Sequence, residues 1–385
     1  MNKIVLVNQS TRHLMIDIAN AYAEKYDKVV LFEGVVEEYE RPLDSRVKKV
    51  KIIAYNRSAG IKRLFTWGIA SIQIFNRLLF GYKGYEVLYF TNPPTSYFAQ
   101  LLLRKRFSVV VYDIYPDALR NIGIKENSFI YKCWTKINRK LYAKAERMYT
   151  LSDGMSNVLS KYVDNEKIKI IPNWSFTEKF APIPKKDNPF AKKCLLEDKF
   201  VVMYSGNMGY THSVDVLLDA AEETREDNRI HYLLIGQGAK KPLLEERVKN
   251  EKLTNVIILD LQPFDVVPYS FAVADVAMIT LNAESGAVSV PGKTYDLLSV
   301  GAPLLCICPE TSEMVTLTRK YENGRCYRAE DVTGIVDFIK ELAGNKELQS
   351  KMSANSLKAS KDFTKANAYE FVPDFNGHKS DGSHE

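Results

Sequence analysis

Residues 286–308, GAVSVPGKTYDLLSVGAPLLCIC, run from a Pro-Gly-Lys loop through a short helix and a Gly-Ala-Pro turn into a buried strand. Free amides and the positive end of a helix starting at Lys293 would attract an anion, and the lysine adds a full charge. Thr294 follows, and Asp296 places a carboxylate within the same turn. Lys293 could neutralise a diphosphate while Asp296 accepts hydrogen bonds from ribose hydroxyls. Asp296 could instead only favour the helix end, worth about 0.5 kcal/mol. A stability role needs no lysine in that turn, so ligand binding is the stronger reading.

Other strand ends carry further candidates. Ser205-Gly206-Asn207-Met208-Gly209 follows the strand FVVMYS; it either lets a backbone approach a ligand or is an ordinary turn. Gly236-Gln237-Gly238 is a G-x-G without its third glycine, a tight turn or a ligand contact, and Lys240 and Lys241 beside it read equally as ligand contacts or as a solvated face. In the first half, Asp113 closes the strand VVVYD, where a carboxylate could orient a hydroxyl, act as a base or cap the next turn. Thr91-Asn92-Pro93-Pro94 would shape the same wall, and Asn8 to His13 form the first strand-to-helix loop, with His13 either capping or catalytic. The sequence has no D-x-D pair for a metal-bound diphosphate, no Cys/His ligand spacing, no G-x-S-x-G and no G-x-x-x-x-G-K-[ST]. A diphosphate would then be held without metal, by helix ends and cations.

These residues need strand ends to stand on. Apolar, β-branched runs at 4–7, 28–32, 51–55, 86–90, 109–113, 148–151 and 168–171 alternate with helical patterns such as 14–25 and 128–144. The pattern restarts with strands expected at 200–205, 231–235, 256–260, 275–279 and 304–308, and helices at 214–223, 242–250, 293–300, 332–343 and 346–362. Continuous apolar strands between amphipathic helices predict parallel sheets covered on both faces. We expect an α/β chain of two doubly wound, Rossmann-like domains facing a cleft, split at the proline-rich stretch 181–189. The domains would be 1–182 and 183–365, the last helix packing back on the first, followed by a polar tail, 366–385.

Composition narrows the partners. The net charge of +6 over 385 residues divides into +12 for 1–180 (29 Lys/Arg, 17 Asp/Glu) and −6 for 181–385 (24 Lys/Arg, 30 Asp/Glu). That asymmetry predicts a polyanionic or membrane-surface partner for the first half. Residues 61–82 (IKRLFTWGIASIQIFNRLLFGY) are apolar with basic flanks and no acid. They form either a core helix or an interfacial one, with Phe65, Trp67, Ile74, Phe75, Leu78 and Leu79 toward lipid. No run of 18 apolar residues predicts a spanning helix. The five cysteines suggest no disulfide framework: Cys306 and Cys308 share a strand face, and Cys133, Cys194 and Cys326 stand alone.

Taken together, TNPP at 91–94, DIYPD at 113–117, LSDGM at 151–155, IPNW at 171–174, YSGNMG at 204–209 and VPGKTYDLLSVGAPLL at 290–305 resemble a known family. Over roughly 1–365 the chain looks like a GT-B glycosyltransferase of retaining family 4, in the bacterial branch that builds capsule, O-antigen and colanic-acid-type polysaccharides. The resemblance implies transfer of a hexosyl or N-acetylhexosaminyl unit from a nucleotide-sugar, UDP-linked by preference, with no metal or other cofactor. Gly206, Asn207, Gly209, Lys293 and Thr294 would cradle the diphosphate, Asp296 would hold the ribose, the base would stack near Gln262 and Phe264, and Gly236 and Gly238 would also meet the donor. The acceptor, a polyprenyl-diphosphate-linked saccharide, would meet Asn8, His13, Asn92 and Asp113 at the inner face of the cytoplasmic membrane. The family's two glutamates, with seven residues between them, are altered: the second is Asp296, Val288 stands eight before it, and Glu284 is the nearest acid for the sugar-facing role. The family's Arg…Lys pair at the first donor loop is replaced by Asn207 and His212 or Ser213, leaving Lys293 as the diphosphate cation. Catalysis would rest on Lys293, Asp113 and Glu284. The alternatives are a nucleotide-sugar epimerase or hydrolase and a non-catalytic nucleotide-sugar-binding subunit. A dinucleotide oxidoreductase lacks its fingerprint here, and nucleic-acid binding lacks a module.

Overall fold

The computed structural model describes residues 2–38, 40–56, 61–281 and 290–373. The chain divides into two compact units, 1–173 with the segment beginning at Lys365, and 174–364.

The first unit is built on β1 (Lys3–Thr11), β2 (Lys28–Val36), β3 (Val47–Lys51), β4 (Glu86–Phe90), β5 (Phe107–Val110), β6 (Met148–Thr150) and β7 (Ile168–Ile170). Its helices are α1 (His13–Lys25), α2 (Ile61–Phe80), α3 (Gln100–Leu103), α4 (Phe129–Tyr142) and α5 (Asp153–Leu159). The sheet order is β3-β2-β1-β4-β5-β6-β7 and its pairings are parallel. Val5, Leu6 and Val7 are wholly buried, as expected for a strand covered on both faces. Order reverses between β1 and β4, and that crevice is where such sheets bind ligands.

The second unit contains β8 (Phe200–Asn207), β9 (Ile230–Gln237), β10 (Val256–Leu259), β11 (Val276–Thr280), β12 (Leu304–Ile307) and β13 (Gly324–Tyr327). Helices α6 (Pro189–Lys193), α7 (Val216–Glu223), α8 (Lys241–Glu251), α9 (Val267–Phe271), α10 (Lys293–Ser299), α11 (Glu313–Tyr321), α12 (Val332–Gly344) and α13 (Lys346–Ser360) complete it. Its parallel order, β10-β9-β8-β11-β12-β13, reverses between β8 and β11. Val202 and Tyr204 enter one core with α7 and α12, and Val201 and Met203 enter the other with α10. Two doubly wound α/β units are therefore present, as the periodicity predicts.

Three expectations are corrected. The division lies at 173/174 and not at 182/183, because the proline-rich stretch belongs to the second unit. Phe176 packs on Phe264 at 5.0 Å and Phe180 on Phe271 at 5.3 Å, while Lys185 pairs with Asp275. The segment after 365 is not a tail at its start: Lys365–Phe371 forms a 3-10 helix whose Phe371 is buried in the first unit. Its Phe371 carbonyl accepts a 2.6 Å hydrogen bond from Tyr22. Third, β3 occupies 47–51, four residues before the expected run, and β13 adds a strand that no apolar run announces. Both are edge strands, where lysines and half-buried polar residues replace continuous apolar ones.

Candidate functional site

Strands β8 and β9 leave the second sheet side by side, with Gly206 opposite Gly236 and Asn207 opposite Gln237. There is no room there for a side chain. A Cβ on Gly236 would lie 1.9 Å from the Gly206 carbonyl oxygen, and one on Gly238 would lie 2.5 Å from the Met208 carbonyl carbon. Two backbone bonds then join the loops, Met208 N–H to the Gln237 oxygen at 2.9 Å and Lys240 N–H to the Met208 oxygen at 2.8 Å. Gly236 and Gly238 thus serve a close crossing of two loops.

Gly206 leaves space for something else. A Cβ there would stand 2.8 Å from the Lys293 Nζ. Lys293, the first residue of α10, donates from Nζ to the Ser205 carbonyl at 2.8 Å, and its ammonium sits 4.2 Å from the centroid of the Tyr204 ring. The residue is only partly covered, but its ammonium is enclosed, and burial lowers its pKa to about 7. At about 1.4 kcal/mol per pH unit, keeping the charge there costs on the order of 5 kcal/mol. A carbonyl dipole and a π-face offset part of that cost; a phosphate would offset far more. His212 lies close enough for the Lys293 charge, after burial itself, to lower its pKa. Its buried Nδ1 has no hydrogen-bond partner among the described residues. Ser213 N–H holds this loop to the end of β11 through Thr280 Oγ1, at 3.2 Å. Lys240 is committed to the loop as well, bonding the His212 carbonyl and Asp215, so it is not a solvated face.

The remaining expected contacts are redistributed. The amides at the start of α10 are not free: Thr294 N–H bonds Pro291 at 2.9 Å and Tyr295 N–H bonds Gly292 at 3.3 Å. Thr294 is fully buried and its hydroxyl points to the Met314 sulfur at 3.8 Å. Of the groups expected to meet an anion at α10, the lysine is the one these bonds leave available. Asp296 is also buried, its Oδ1 accepting from Ser175 Oγ at 2.7 Å and from Phe176 N–H at 3.3 Å. Through these bonds it fastens the segment that opens the second unit. Phe264 packs on Phe176 in that same segment, and Gln262 Nε2 donates to the Asp260 carbonyl at 2.8 Å. Asn207 is exposed, and its carbonyl accepts from the Tyr204 hydroxyl at 2.7 Å. Glu284 lies outside the described residues.

In the first unit Asn8, Asn92 and Asp113 come from the C-terminal ends of neighbouring strands. Gln9 N–H donates to the Asn92 carbonyl at 2.7 Å, and the Thr91 hydroxyl receives the amides of Tyr112 and Asp113 at 3.1 and 3.3 Å. Asp113 is exposed, yet loss of hydration around its carboxyl raises its pKa. His13 moves the other way: burial and then the charges of Arg41 and Arg12 lower its pKa to about 4, so it is neutral at pH 7. Asn8 Oδ1, Gln9 Oε1, Thr11 Oγ1 and Trp67 Nε1 are buried without a partner among the described residues. Such a concentration of unpaired polar atoms is unusual away from ligand sites. Trp67 stacks with Tyr55 at 6.3 Å and meets Tyr115 edge-on at 5.9 Å.

Sequence reasoning gave no site role to Tyr204, Gln9 or Trp67: the first two lie inside segments it noted for other residues, and Trp67 was expected to face lipid but is buried. Among the described residues no group of three or more His, Cys, Asp or Glu is placed to hold a metal ion.

Residues 199–345, inside the second unit, match the family model Glycosyl transferases group 1. WbjE of Pseudomonas aeruginosa, described as a glycosyltransferase, is 25% identical over 265 residues, covering 66% of each chain. WcaI of Escherichia coli K12, described as a colanic acid biosynthesis glycosyl transferase, is 23% identical over 60% of this chain and 58% of its own. The chain thus spans 66% of the first relative's length and 58% of the second's, in both cases less than two thirds. Among solved structures, Alr3699/HepE of Anabaena in complex with UDP aligns with a TM-score of 0.70 at 14% identity, over 96% of this chain and 97% of that one.

Proposed function

We propose that the chain, which has the GT-B fold and matches the glycosyl transferases group 1 model over residues 199–345, transfers a sugar from a UDP-linked donor to a lipid-linked saccharide in surface polysaccharide synthesis. The observation that carries this reading is the Lys293 ammonium, enclosed at the β8–β11 switch point without a carboxylate partner among the described residues. A diphosphate placed there restores the proton that burial removes. The UDP in the Alr3699/HepE complex supports the choice of nucleotide.

The mechanism is front-face substitution with retention. The glycosidic bond to the diphosphate lengthens, negative charge builds on the leaving oxygen, and Lys293 stabilises that charge as it develops. The same oxygen takes the proton of the attacking acceptor hydroxyl. In the first unit, Asp113 and the unpaired atoms of Asn8 and Gln9 receive the acceptor saccharide. Lys293 and the loop of Gly206 to Gly209 do this without a metal. The acceptor's polyprenyl chain and the basic first unit bring the protein to the cytoplasmic face of an anionic membrane as a peripheral enzyme.

A thermal-shift series with UDP, GDP, CMP and TDP tests the donor site. At 100 times its Kd a ligand stabilises the fold by about 2.7 kcal/mol. Stabilisation by UDP that disappears in Lys293→Ala is the expected result; no response to any nucleotide refutes it. Release of UDP from a UDP-sugar that needs no acceptor would replace transfer by hydrolysis or epimerisation.

A further inference from the structure

Cys326 is not the isolated thiol its sequence position suggests. Strand β13 sets it directly opposite Cys306 on β12, in parallel register. Cys308, two residues on, projects from the same face as Cys306, and both thiols meet the Cys326 sulfur. The Thr318 hydroxyl contacts that sulfur at 3.3 Å. Donation from the two thiols, chiefly from Cys306, holds the Cys326 pKa below the ordinary thiol range and raises those of its two neighbours.

This cluster has a way in. Cys308 and Cys326 line a cavity of about 640 Å³ whose charged walls are Arg319, Arg325, Arg328, Glu310 and Asp331. Cys306 is wholly buried and Cys326 half-buried, so an entering reagent reaches Cys326 first. Arg325 is paired with Glu341, and Arg328 stands 4.0 Å from Glu310. Arg319 pairs with no acid among the described residues and supplies the attraction for an anion. Adjacent strands are about 4.8 Å apart, inside the Cα separation a disulfide accepts.

We infer that Cys326 is an oxidation site, reacting with a small anionic disulfide admitted by the arginine-lined cavity and closing to an internal disulfide with a β12 cysteine. The Cys326 thiolate attacks one sulfur of the reagent, forms a mixed disulfide and expels one thiolate, which takes up a proton. A β12 thiol then attacks the Cys326 sulfur, gives up its proton and expels the second thiolate. Two protein thiols are oxidised, one disulfide is reduced to two thiols, and no further oxidant enters.

Oxidised glutathione is the probe, with free thiols alkylated at intervals and the products mapped by peptide mass. The expected product is a disulfide from Cys326 to Cys306 or Cys308, forming about tenfold faster than glutathione adds to the exposed Cys133. In the double variant Cys306→Ser, Cys308→Ser the reaction should stop at glutathionylated Cys326. The proposal is overturned if Cys326 stays fully alkylatable while Cys133 is modified, or if the double variant carries no adduct at Cys326.

Discussion

Lys293 contributes to the protein through the cost of its charge. An ammonium held at a pKa of about 7 by burial is half neutral at pH 7 in the empty site, and an anion must draw a proton in with it. UDP affinity should therefore fall as pH rises from 7 to 9, by up to about tenfold per unit, since the unliganded lysine binds fewer protons than the liganded one. Isothermal titration at several pH values checks this. A flat profile, or one unchanged in Lys293→Met, would remove Lys293 from the phosphate. Replacing a buried ammonium that has no carboxylate partner among the described residues by an apolar chain of similar length is often neutral or stabilising. Lys293→Met should keep or raise Tm while kcat/KM falls by about 100-fold or more, as for loss of a group that stabilises developing charge. This lysine was legible because Pro-Gly-Lys interrupts an apolar pattern. Asp296 was legible as special, but its structural partners were not: a carboxylate in a first helical turn answers equally to a ribose or to a neighbouring backbone, and Ser175 and Phe176 donate to its Oδ1. Tyr204 was illegible because the face of a ring at a strand end leaves no trace in hydrophobic periodicity.

The elements follow from the same residues at the next scale. Strands β8 and β9 can run together to Asn207 and Gln237 only because Gly206 and Gly236 face each other. Gly236→Ala forces a methyl group to within 1.9 Å of the Gly206 oxygen, and φ at this position is 155°. We expect a loss of roughly 4 kcal/mol or more, the range reserved for clashes that no rotamer relieves. Gly292→Ala is the control: among the described residues nothing lies within 4 Å of its added Cβ, and φ of −55° suits alanine. It should be neutral or stabilising by about 0.4–1 kcal/mol. Urea unfolding of both variants reads the contrast, and equal midpoints would show that the loop crossing tolerates a side chain. Interior strands of both sheets were legible as apolar runs. Edges β3 and β13 were not, since an edge strand survives by keeping lysines and arginines where pairing ends. Helix α2 was legible as amphipathic, but its phase was not. Trp67, Ile74 and Leu78 pack inward, whereas Leu64, Phe65, Ile72, Leu79 and Phe80 are exposed.

Across the whole molecule, that second apolar stripe coincides with the positive charge. Among the described residues no helix is long and apolar enough to cross a membrane. The first half nonetheless carries +12 (29 Lys/Arg, 17 Asp/Glu) and the second −6 (24 Lys/Arg, 30 Asp/Glu), an asymmetry that core packing does not require. On α2, Phe65 is 65% and Phe80 85% exposed, and on α4 Phe129 is 83% exposed, with Lys62 and Lys132 also exposed on these helices. Exposed phenylalanines beside lysines suit the boundary between headgroups and acyl chains. Each ring transferred from water should contribute roughly 1.5–3 kcal/mol, so Phe65→Ser with Phe80→Ser lowers partitioning by well over about tenfold. The basic residues should make binding strongest on phosphatidylglycerol-rich vesicles at low salt, and salt should release it as the Debye length falls from about 30 to 3 Å. Flotation of the wild type and the double variant, each with its Tm, separates docking from unfolding: both rings are already exposed, so Tm should not move. If the wild type stays in the aqueous fraction with anionic vesicles at low salt, the stripe does not meet lipid and the proposed acceptor must be reached from solution.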